Sequence, residues 1–450
     1  MSDIQDPLQV HIGIDLGTVF TKACFNCLDK NERAIVSWET GILDDNKEII
    51  PSVIFITNNN YLHLTKPVNE PSKRIKYFKM ALANLHDVTG VLIDNPILPT
   101  IDTENDAYKL YTAYYLAQIF SQIEKRIKEK YKTFLSGKEI KYSISVGIPV
   151  QYSDSPKKEI FEEVLQAFWY MYPKINQVEH IHNIDTYYTE SLQAPKNPDI
   201  ETVPELLAET VSLFTDIFTN DGYFAIFDIG GGTLDGALAK FYRSQGHKKI
   251  EFITAEVKPL GLEVAVNELS KARGIDAKRN IRYMVSSITK KDFQKLYKQV
   301  FNNQEVNKKL DSIEKEIRTQ TASVVVSAKY KGFALNDCKN ELPIIFCGGG
   351  KNSWWYRKVI LSTYKEHKHY SCAIPPYKSH EINEEQGVFA GIANIYKHRF
   401  LVALGLSIPK ENRPDIIGFP NKYPKKEKSE DGNVQLDLDD LQREKYGDDR

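Results

Sequence analysis

Three short apolar segments of the chain each end in a cluster of glycines and small polar residues. In the first, residues 11–14 lead into Asp15, Gly17 and Thr18, and a second apolar segment follows at residues 23–28. Two extended segments on either side of a short glycine-containing turn predict a β-hairpin. The turn of this hairpin would present backbone N–H groups, a hydroxyl group and a carboxylate.

The second cluster repeats this pattern. An apolar segment at residues 223–227 leads into Asp228, three glycines at positions 230–232 and Thr233, and another apolar segment follows. Each glycine costs conformational entropy on folding, so a purely structural hairpin rarely contains three in a row. Glycines also let the main chain approach a phosphate, and successive N–H groups in a tight turn form a concave anion site. The repeat therefore favours phosphate binding over an ordinary surface turn.

The third cluster ends a strand and begins a helix. Apolar residues 342–347 precede three glycines at positions 348–350, and a helix is predicted at residues 354–362. A helix N-terminus that follows a glycine-rich loop attracts anions or the polar edge of a nucleotide. This cluster is thus a second kind of nucleotide-binding candidate.

The remaining hydrophobic patterns alternate between the two-residue period of strands and the 3.6-residue period of helices. Such alternation predicts an α/β protein. A basic amphipathic segment at residues 72–82 separates the early strands from the first long helix. Further strands are predicted at residues 34–38, 48–57, 142–149 and 249–257, and helices at residues 106–134, 156–168, 203–218, from 260, through most of 272–331, and at 384–400.

Composition narrows the class of protein. A chain of 450 residues exceeds one ordinary hydrophobic core, so two or more domains are expected. The formal net charge of −1 does not indicate nucleic-acid binding, and no apolar run approaches the roughly 20 residues of a membrane span. The first residues lack the features of a secretion signal, and five scattered cysteines are typical of reduced thiols. We therefore expect a cytoplasmic protein with no membrane span and no nucleic-acid partner.

Together, the three clusters resemble the nucleotide-binding segments of a known superfamily. The chain resembles the actin-like ATPases, and among them the nucleotide-binding domain of the seventy-kilodalton heat-shock chaperones. Residues 12–21 and 227–235 resemble the two phosphate loops of that family, and residues 345–351 resemble its adenosine loop. Residues 49–55 and 146–155 resemble two further family segments.

The resemblance implies a two-lobed actin-like ATPase fold. Two ribonuclease-H-like domains, each with a smaller inserted subdomain, would face a nucleotide cleft. Residues 1–219 would form lobe I and residues 220–400 lobe II, with the last helix packing back on lobe I. Residues 401–450 would form a C-terminal tail in place of the family's peptide-binding domain. Within this tail, residues 434–441 alternate apolar and acidic side chains, as in an interdomain linker or a disordered acidic tail.

The resemblance also implies roles for individual residues. Asp15 and Asp228 would hold hydrated Mg²⁺, and Glu205 would position the attacking water. Lys73 aligns best with the catalytic lysine that would reach the γ-phosphate, and Lys76 aligns next, within a segment that extends to Lys79. The phosphates and adenosine of ATP or ADP would contact Gly17, Thr18, Val19, Gly230, Gly231, Gly232, Thr233, Gly261, Gly348, Gly349, Gly350 and Lys351.

Part of the family pattern is altered. The serine and arginine that follow the paired glycines of the adenosine loop are replaced by Gly350 and Asn352. The helical adenine clamp is not recognisable in residues 272–331, where Lys315 and Arg318 are the available candidates. The contacts to the adenine ring are therefore expected to differ.

We expect a slow, partner-regulated ATP hydrolase that acts as a nucleotide-dependent conformational switch for a protein partner or client. A filament-forming ATPase and a small-molecule kinase of the same superfamily are alternatives. The kinase would need a base for the substrate hydroxyl, and no Asp is evident for that purpose beyond those already assigned. A fourth alternative is a sensor that binds ATP without hydrolysing it, which depends on Glu205 and the lysine segment.

Overall fold

The structure is a computed structural model. It describes residues 6–39, 47–82, 104–135, 138–149, 157–217, 221–300, 304–330, 341–365, 374–380 and 397–418, and the structural statements below concern these ranges.

Strands and helices alternate along the chain. The strands are β1 (Leu8–Leu16), β2 (Phe20–Cys27), β3 (Glu32–Ile35), β4 (Ile50–Pro51), β5 (Val53–Thr57), β6 (Tyr61–His63), β7 (Ser72–Lys76), β8 (Ile140–Ile148), β9 (Val178–His180), β10 (Ile200–Pro204), β11 (Gly222–Ile229), β12 (Leu234–Ser244), β13 (His247–Lys258), β14 (Leu342–Cys347), β15 (Tyr377–His380) and β16 (Asp415–Ile417). The α-helices are α1 (Phe78–Leu82), α2 (Glu104–Lys130), α3 (Lys157–Met171), α4 (Ile181–Ser191), α5 (Glu205–Ser212), α6 (Leu262–Arg273), α7 (Lys278–Val285), α8 (Lys290–Val300), α9 (Gln304–Tyr330), α10 (Trp354–Ser362) and α11 (Leu401–Leu406). The predicted α/β class is confirmed.

The structure contains two six-stranded sheets, and five strands of one sheet are arranged in the same way as five strands of the other. The first sheet runs β10-β8-β1-β2-β3, with β4 paired to β2, and the second runs β15-β14-β11-β12-β13-β16. In both, a central strand pairs in parallel with one neighbour and forms an antiparallel hairpin with the other. The two hairpins predicted from the sequence are therefore confirmed as β1–β2 and β11–β12. A third, four-stranded sheet has the order β7-β5-β6-β9.

The central strands β1 and β11 are almost entirely buried. Apolar residues occupy every position of β11 between Gly222 and Asp228, whereas β1 also buries the polar side chain of His11. Helices cover the sheets. α2 contributes four fully buried tyrosines, at positions 108, 111, 114 and 115, to the hydrophobic core that it shares with the first and third sheets. α10 begins at the predicted residue because the Ser353 side chain caps it by accepting a hydrogen bond from the Tyr356 N–H.

The short helix α11 is wedged between α5 and β1. A Cβ atom added to Gly405 would lie 1.7 Å from the Ala208 carbonyl oxygen, and one added to Gly13 would lie 2.4 Å from the Ala403 carbonyl oxygen. Only glycine at these two positions allows such close backbone contact. The N-terminus of α5, which carries Glu205, is thereby held against the first sheet.

Some predicted boundaries were wrong. Residues 401–418 are not part of a tail, because α11 is buried and β16 adds a parallel strand to β13. Residues 203 and 204, which were predicted to begin a helix, instead end β10, because this strand pairs in parallel with β8. The basic segment contains β7 before its helix begins at Phe78. The predicted helix at 384–400 lies largely outside the described residues, as do residues 419–450.

None of the helices in the described ranges is long and apolar enough to cross a membrane.

Candidate functional site

The turns of the two hairpins open onto one cavity of about 280 Å³. The glycine-rich segment after β14 reaches the same cavity, so all three sequence clusters converge there. The predicted site residues that line it are Asp15, Gly17, Thr18, Val19, Glu205, Asp228, Gly230, Gly231, Gly232, Thr233, Gly348 and Gly349.

The first turn is held by hydrogen bonds from the chain around it. The Gly17 N–H donates to the Asp15 carbonyl over 3.0 Å, and the Ser52 hydroxyl donates to the Gly17 carbonyl over 2.7 Å. A Cβ atom at position 17 would lie 2.2 Å from the Phe20 carbonyl oxygen, so the turn requires glycine there. Asp15 faces Lys22 across the hairpin, and their side chains form an ion pair.

The second turn is built on the first turn of α6. The carbonyls of Gly230 and Gly231 accept hydrogen bonds of 2.9 Å from the N–H groups of Leu262 and Glu263. The C=O of one residue and the N–H of the next point in opposite directions in a planar trans peptide. The N–H groups of residues 231 and 232 therefore point away from α6. Successive backbone N–H groups in such a turn are a common phosphate site.

Three residues that were predicted to contact the nucleotide lie behind the loops rather than on the cavity wall. A Cβ atom on Gly261 would lie 2.4 Å from the Gly231 carbonyl oxygen, so this glycine allows α6 to approach the second turn. The Gly350 N–H donates to the Ile229 carbonyl over 2.8 Å, and Lys351 is buried next to it. Their role is to shape the loops that reach the cavity.

Lys73 is not at the site. It is exposed on β7, whereas Lys79 lines the cavity from α1 and forms an ion pair with Glu205. Burial lowers the pKa of Lys79, but the carboxylates of Glu205 and Asp15 outweigh burial and raise it, so this lysine stays charged. The sequence signal for Lys79 is its apolar surroundings in α1, which differ from the polar neighbours of Lys73.

The cavity floor carries an excess of carboxylates. Lys22 pairs with Asp15 and Lys79 pairs with Glu205, but among the described residues Glu209 accepts no hydrogen bond from an N–H or O–H group and has only the weakly donating Cys347 thiol beside it. Oδ1 of Asp228 is also unpaired, as is Oδ1 of Asp235, the residue opposite Asp228 in the hairpin.

Burial and the neighbouring carboxylates of Glu205 and Asp15 raise the pKa of Asp228 to about 7. Burial and the Asp228 carboxylate raise the pKa of Asp235 to about 8. The pKa of Glu209 is raised well above its usual value for the same reason, burial first and then Asp228. Unpaired buried carboxylates of this kind favour either a bound proton or a nearby cation.

This donor set fits hydrated Mg²⁺. Carboxylate oxygens suit this hard cation, which usually keeps several of its waters. Within the described ranges, no three His, Cys, Asp or Glu side chains are arranged to coordinate a metal directly. Because Mg²⁺ keeps several of its waters, Asp15 and Asp228 would hold the ion through them.

Glu209 was missed at the sequence level. It follows Glu205 by four residues on α5, so both side chains lie on one face of the helix. It is 1% exposed and lines the cavity. The sequence signal that could have identified Glu209 is its position one helical turn after Glu205 in an otherwise mainly apolar helix.

Gly348 brings the third loop against Asp228. It has a φ of 76°, and an added Cβ atom would lie 1.8 Å from Oδ1 of Asp228. Glycine is therefore required at this position both by the backbone conformation and by the space beside the carboxylate.

The wall of the cavity on α7 was also missed. Arg282 and Ser286, one helical turn apart, line it, and the Arg282 guanidinium forms an ion pair of 2.5 Å with Glu263. Lys315 and Arg318, the sequence candidates for an adenine clamp, lie on α9 and do not line the cavity. Arg318 instead donates a hydrogen bond to the Ser362 hydroxyl.

Comparison with protein-family models finds none that matches the chain. Comparison with curated proteins finds no matching sequence.

Proposed function

We propose that the protein binds Mg-ATP in this cavity and hydrolyses it slowly, as a member of the actin-like ATPase superfamily similar to the nucleotide-binding domain of the seventy-kilodalton heat-shock chaperones. One observation carries the proposal. Three glycine-rich segments at residues 15–19, 228–233 and 348–349 line the same cavity, together with Lys79 and Glu205. A phosphate cradle, a cation and a water-positioning carboxylate are the parts that phosphoryl transfer needs.

The repeated strand order of the two large sheets supports the two-lobed arrangement of this proposal. Each sheet would form the core of one ribonuclease-H-like lobe, with residues 1–219 in lobe I and residues 220–400 in lobe II. The four-stranded sheet and the helices α7 and α8 would be the inserted subdomains. Closure of the lobes around ATP, and opening after hydrolysis, would signal to a protein partner.

The residues of the chain have distinct tasks in this mechanism. The backbone N–H groups of the two turns bind phosphate oxygens, and Arg282 and Ser286 border the adenosine. Mg²⁺, held by Asp15 and Asp228, would supply positive charge at the phosphates. Lys79 offsets the negative charge that develops on the γ-phosphate, and Glu205 orients a water molecule toward it. As the bond from the water oxygen to the γ-phosphorus forms, the bond from the γ-phosphorus to the bridging oxygen of ADP breaks, and the proton that the water loses passes to an oxygen of the departing phosphate.

The proposal is tested by calorimetry of Mg-ATP binding to Asp15→Asn and Asp228→Asn. Both substitutions remove a carboxylate charge at the metal position, so we expect binding to be lost or severely weakened in each. Asp276→Asn, at an exposed position on α6's C-terminal side, is the charge-matched control and should bind normally. Undiminished binding in both site variants would contradict the proposal.

Hydrolysis is tested separately with Glu205→Gln. The amide retains the size of the side chain but is a poorer partner for water and for Lys79. We expect single-turnover hydrolysis to be lost while Mg-ATP binding is retained. A wild-type protein that binds ATP and releases no phosphate in the same assay would instead support the non-hydrolysing sensor.

A further inference from the structure

A second cavity, of about 390 Å³, lies between α3 and the segment that leads into β10. Leu165, Trp169 and Tyr170 line it from α3, and residues 194–198 and 200–202 also line it. We call this cavity the α3 groove. It shares no lining residue with the nucleotide cavity, and its volume is within the range of about 300–1,000 Å³ that is usual for ligand sites.

The walls of the α3 groove are held in place by hydrogen bonds. The Gln166 side chain donates to the carbonyl oxygens of Ser191 and Ala194, over 2.5 Å and 2.8 Å. The side-chain oxygen of Asn197 accepts a hydrogen bond of 3.0 Å from the Asp199 N–H, and β10 then pairs with β8. The groove is therefore largely formed before a ligand binds, which lowers the cost of ordering it.

The charged side chains of the α3 groove balance one another. Lys158 and Lys196 lie 3.4 Å and 3.7 Å from the Glu162 carboxylate, and Glu201 accepts a hydrogen bond of 2.6 Å from Arg413. The lining contains two lysines and two glutamates and no other charged residue. A strongly charged ligand would disturb these pairs, so the groove is suited to a neutral ligand.

The polar groups without a partner in the α3 groove are mainly hydrogen-bond donors. Among the described residues, neither the Trp169 indole N–H nor the Asn197 side-chain NH₂ nor the Thr202 hydroxyl has a hydrogen-bond partner. The indole can only donate, and the side-chain oxygen of Asn197 is already used by the Asp199 N–H. A complementary ligand therefore carries acceptors and needs few donors.

The α3 groove also contains a rigid aromatic surface. The half-buried rings of Trp169 and Tyr170 line it, and the Trp169 ring contacts those of Phe120 and Tyr172 at centroid distances of 5.5 Å and 5.7 Å. Aromatic-lined grooves bind proline-rich segments in the polyproline II conformation. Each proline has an apolar ring and a carbonyl acceptor but no N–H donor, which matches both the rings and the donors of this groove.

We propose that the α3 groove binds a proline-rich segment of a partner protein in the polyproline II conformation. The proline rings pack on Trp169 and Tyr170, and the carbonyl oxygens of the segment accept hydrogen bonds from Trp169, Asn197 and Thr202. The inference goes beyond the proposed function and does not depend on ATP binding, because the groove and the nucleotide cavity are lined by different residues.

The test titrates decaproline into the full chain without nucleotide and measures binding by calorimetry. We expect the wild type to bind decaproline and not an equally long glycine–serine peptide. Trp169→Phe retains a ring and removes the N–H, and Thr202→Val retains the branched shape and removes the hydroxyl. Each should weaken decaproline binding by roughly fivefold, the usual effect of one lost hydrogen bond. Thr319→Val, on α9 and outside the groove, is the matched control and should bind as the wild type does.

The same titrations identify the results that would overturn the inference. A wild type that does not bind decaproline, or one that Trp169→Phe and Thr202→Val both match in affinity, would overturn it. An oligosaccharide is the other neutral ligand suited to aromatic rings, and binding of cellohexaose without binding of decaproline would also overturn it. Binding of decaproline by a protein that binds no Mg-ATP would support the inference and contradict only the proposed function.

A second measurement needs no variant. Decaproline that carries a terminal benzophenone group should form photochemical cross-links to the wild type within α3 or residues 194–202, as located by mass spectrometry of the digested protein. Cross-links confined to other segments would overturn the inference.

Discussion

Two lysines close together in the chain have different environments. Lys73 is exposed on β7, but Tyr77, with a φ of 61°, changes the direction of the chain between β7 and α1. The change places Lys79 in the cavity, where its ammonium group pairs with Glu205. A lysine that is buried beside a carboxylate in the proposed ATP cavity is a stronger catalytic candidate than an exposed one.

We expect Lys79→Ala to lower the single-turnover rate of ATP hydrolysis by about 10²–10³-fold, the usual effect of removing one group that stabilises transition-state charge. Lys73→Ala should retain the wild-type rate. Thermal melting of each variant shows whether a lost rate reflects unfolding, because removal of Lys79 leaves Glu205 without its ion pair. A larger loss of rate in Lys73→Ala than in Lys79→Ala would contradict this assignment.

Glu209 should make the nucleotide-free protein less stable as the pH rises. Its raised pKa means that the fold favours the protonated form, so the contribution to stability is complete below the unfolded-state pKa and is lost above it. Glu209→Gln mimics the protonated form at every pH. In urea unfolding with a chelator present, we expect the variant to gain stability over the wild type as the pH rises above the usual pKa of a glutamate.

The matched control for this prediction is Glu316→Gln, an exposed glutamate on α9. The difference in unfolding free energy between this variant and the wild type should not change with pH. A Glu209→Gln variant whose stability followed the wild type in parallel across this pH range would show that Glu209 ionises freely in the fold.

At the scale of elements, the site depends on how closely α11 approaches α5 and β1. The glycines at positions 405 and 13 remove the side chains that would separate these backbones. α5 begins at Glu205 and carries Glu209, so its position decides where both carboxylates enter the cavity. A buried six-residue helix far along the chain thus supports a site built mainly from the two hairpins.

Gly405→Ala should therefore destabilise the protein. The new Cβ atom would overlap the Ala208 carbonyl oxygen, and overpacking of this kind costs about 1–3 kcal/mol of unfolding free energy, or more where backbone must move. Denaturant unfolding measures this change. Gly349→Ala is the control, since a Cβ atom there meets nothing within 4 Å, and its unfolding free energy should remain close to that of the wild type.

At the scale of the whole molecule, residues 401–417 connect the two large sheets. The Nε2 group of His11 on β1 contacts the Leu406 carbonyl oxygen and the Ser145 hydroxyl over 3.0 Å. Arg413 pairs with Glu201 next to this contact, and β16 then joins the second sheet beside β13. One short segment thus hydrogen-bonds to the first sheet and pairs with the second.

This network should make the protein acid-sensitive. Burial, and then the charge of Arg413, lowers the pKa of His11 from 6.5 to about 4. The unfolded chain therefore binds a proton that the folded chain does not, and stability is lost as the pH falls between these values. The loss attributable to His11 is roughly 3 kcal/mol between about pH 6.5 and pH 4.

Urea unfolding of the wild type and His11→Gln over this pH range measures the effect. The glutamine cannot take up the proton, so the stability of the variant should depend less steeply on pH. His247→Leu, at an exposed position, should show the wild-type dependence. A variant that lost stability as steeply as the wild type would show that other groups cause the acid sensitivity.

Local patterns in the sequence by themselves determined the α/β class, both hairpins and the helix at residues 354–362. These features depend on interactions between residues close in the chain: alternation of apolar side chains, glycine conformations and a serine cap. The same local patterns identified the residues of the three loops that line the cavity, because glycines and an Asp at the end of a buried strand are visible without a partner segment.

Only the tertiary structure decided which lysine reaches the cavity, that Glu209 enters it, and that residues 401–418 belong to the fold. Each of these depends on contacts between segments far apart in the chain. The role of Lys79 depends on Glu205, 126 residues away, and the burial of α11 depends on α5 and β1. Side-chain type and spacing do not encode such contacts, because burial and charge at one residue are created by the distant segments that pack against it.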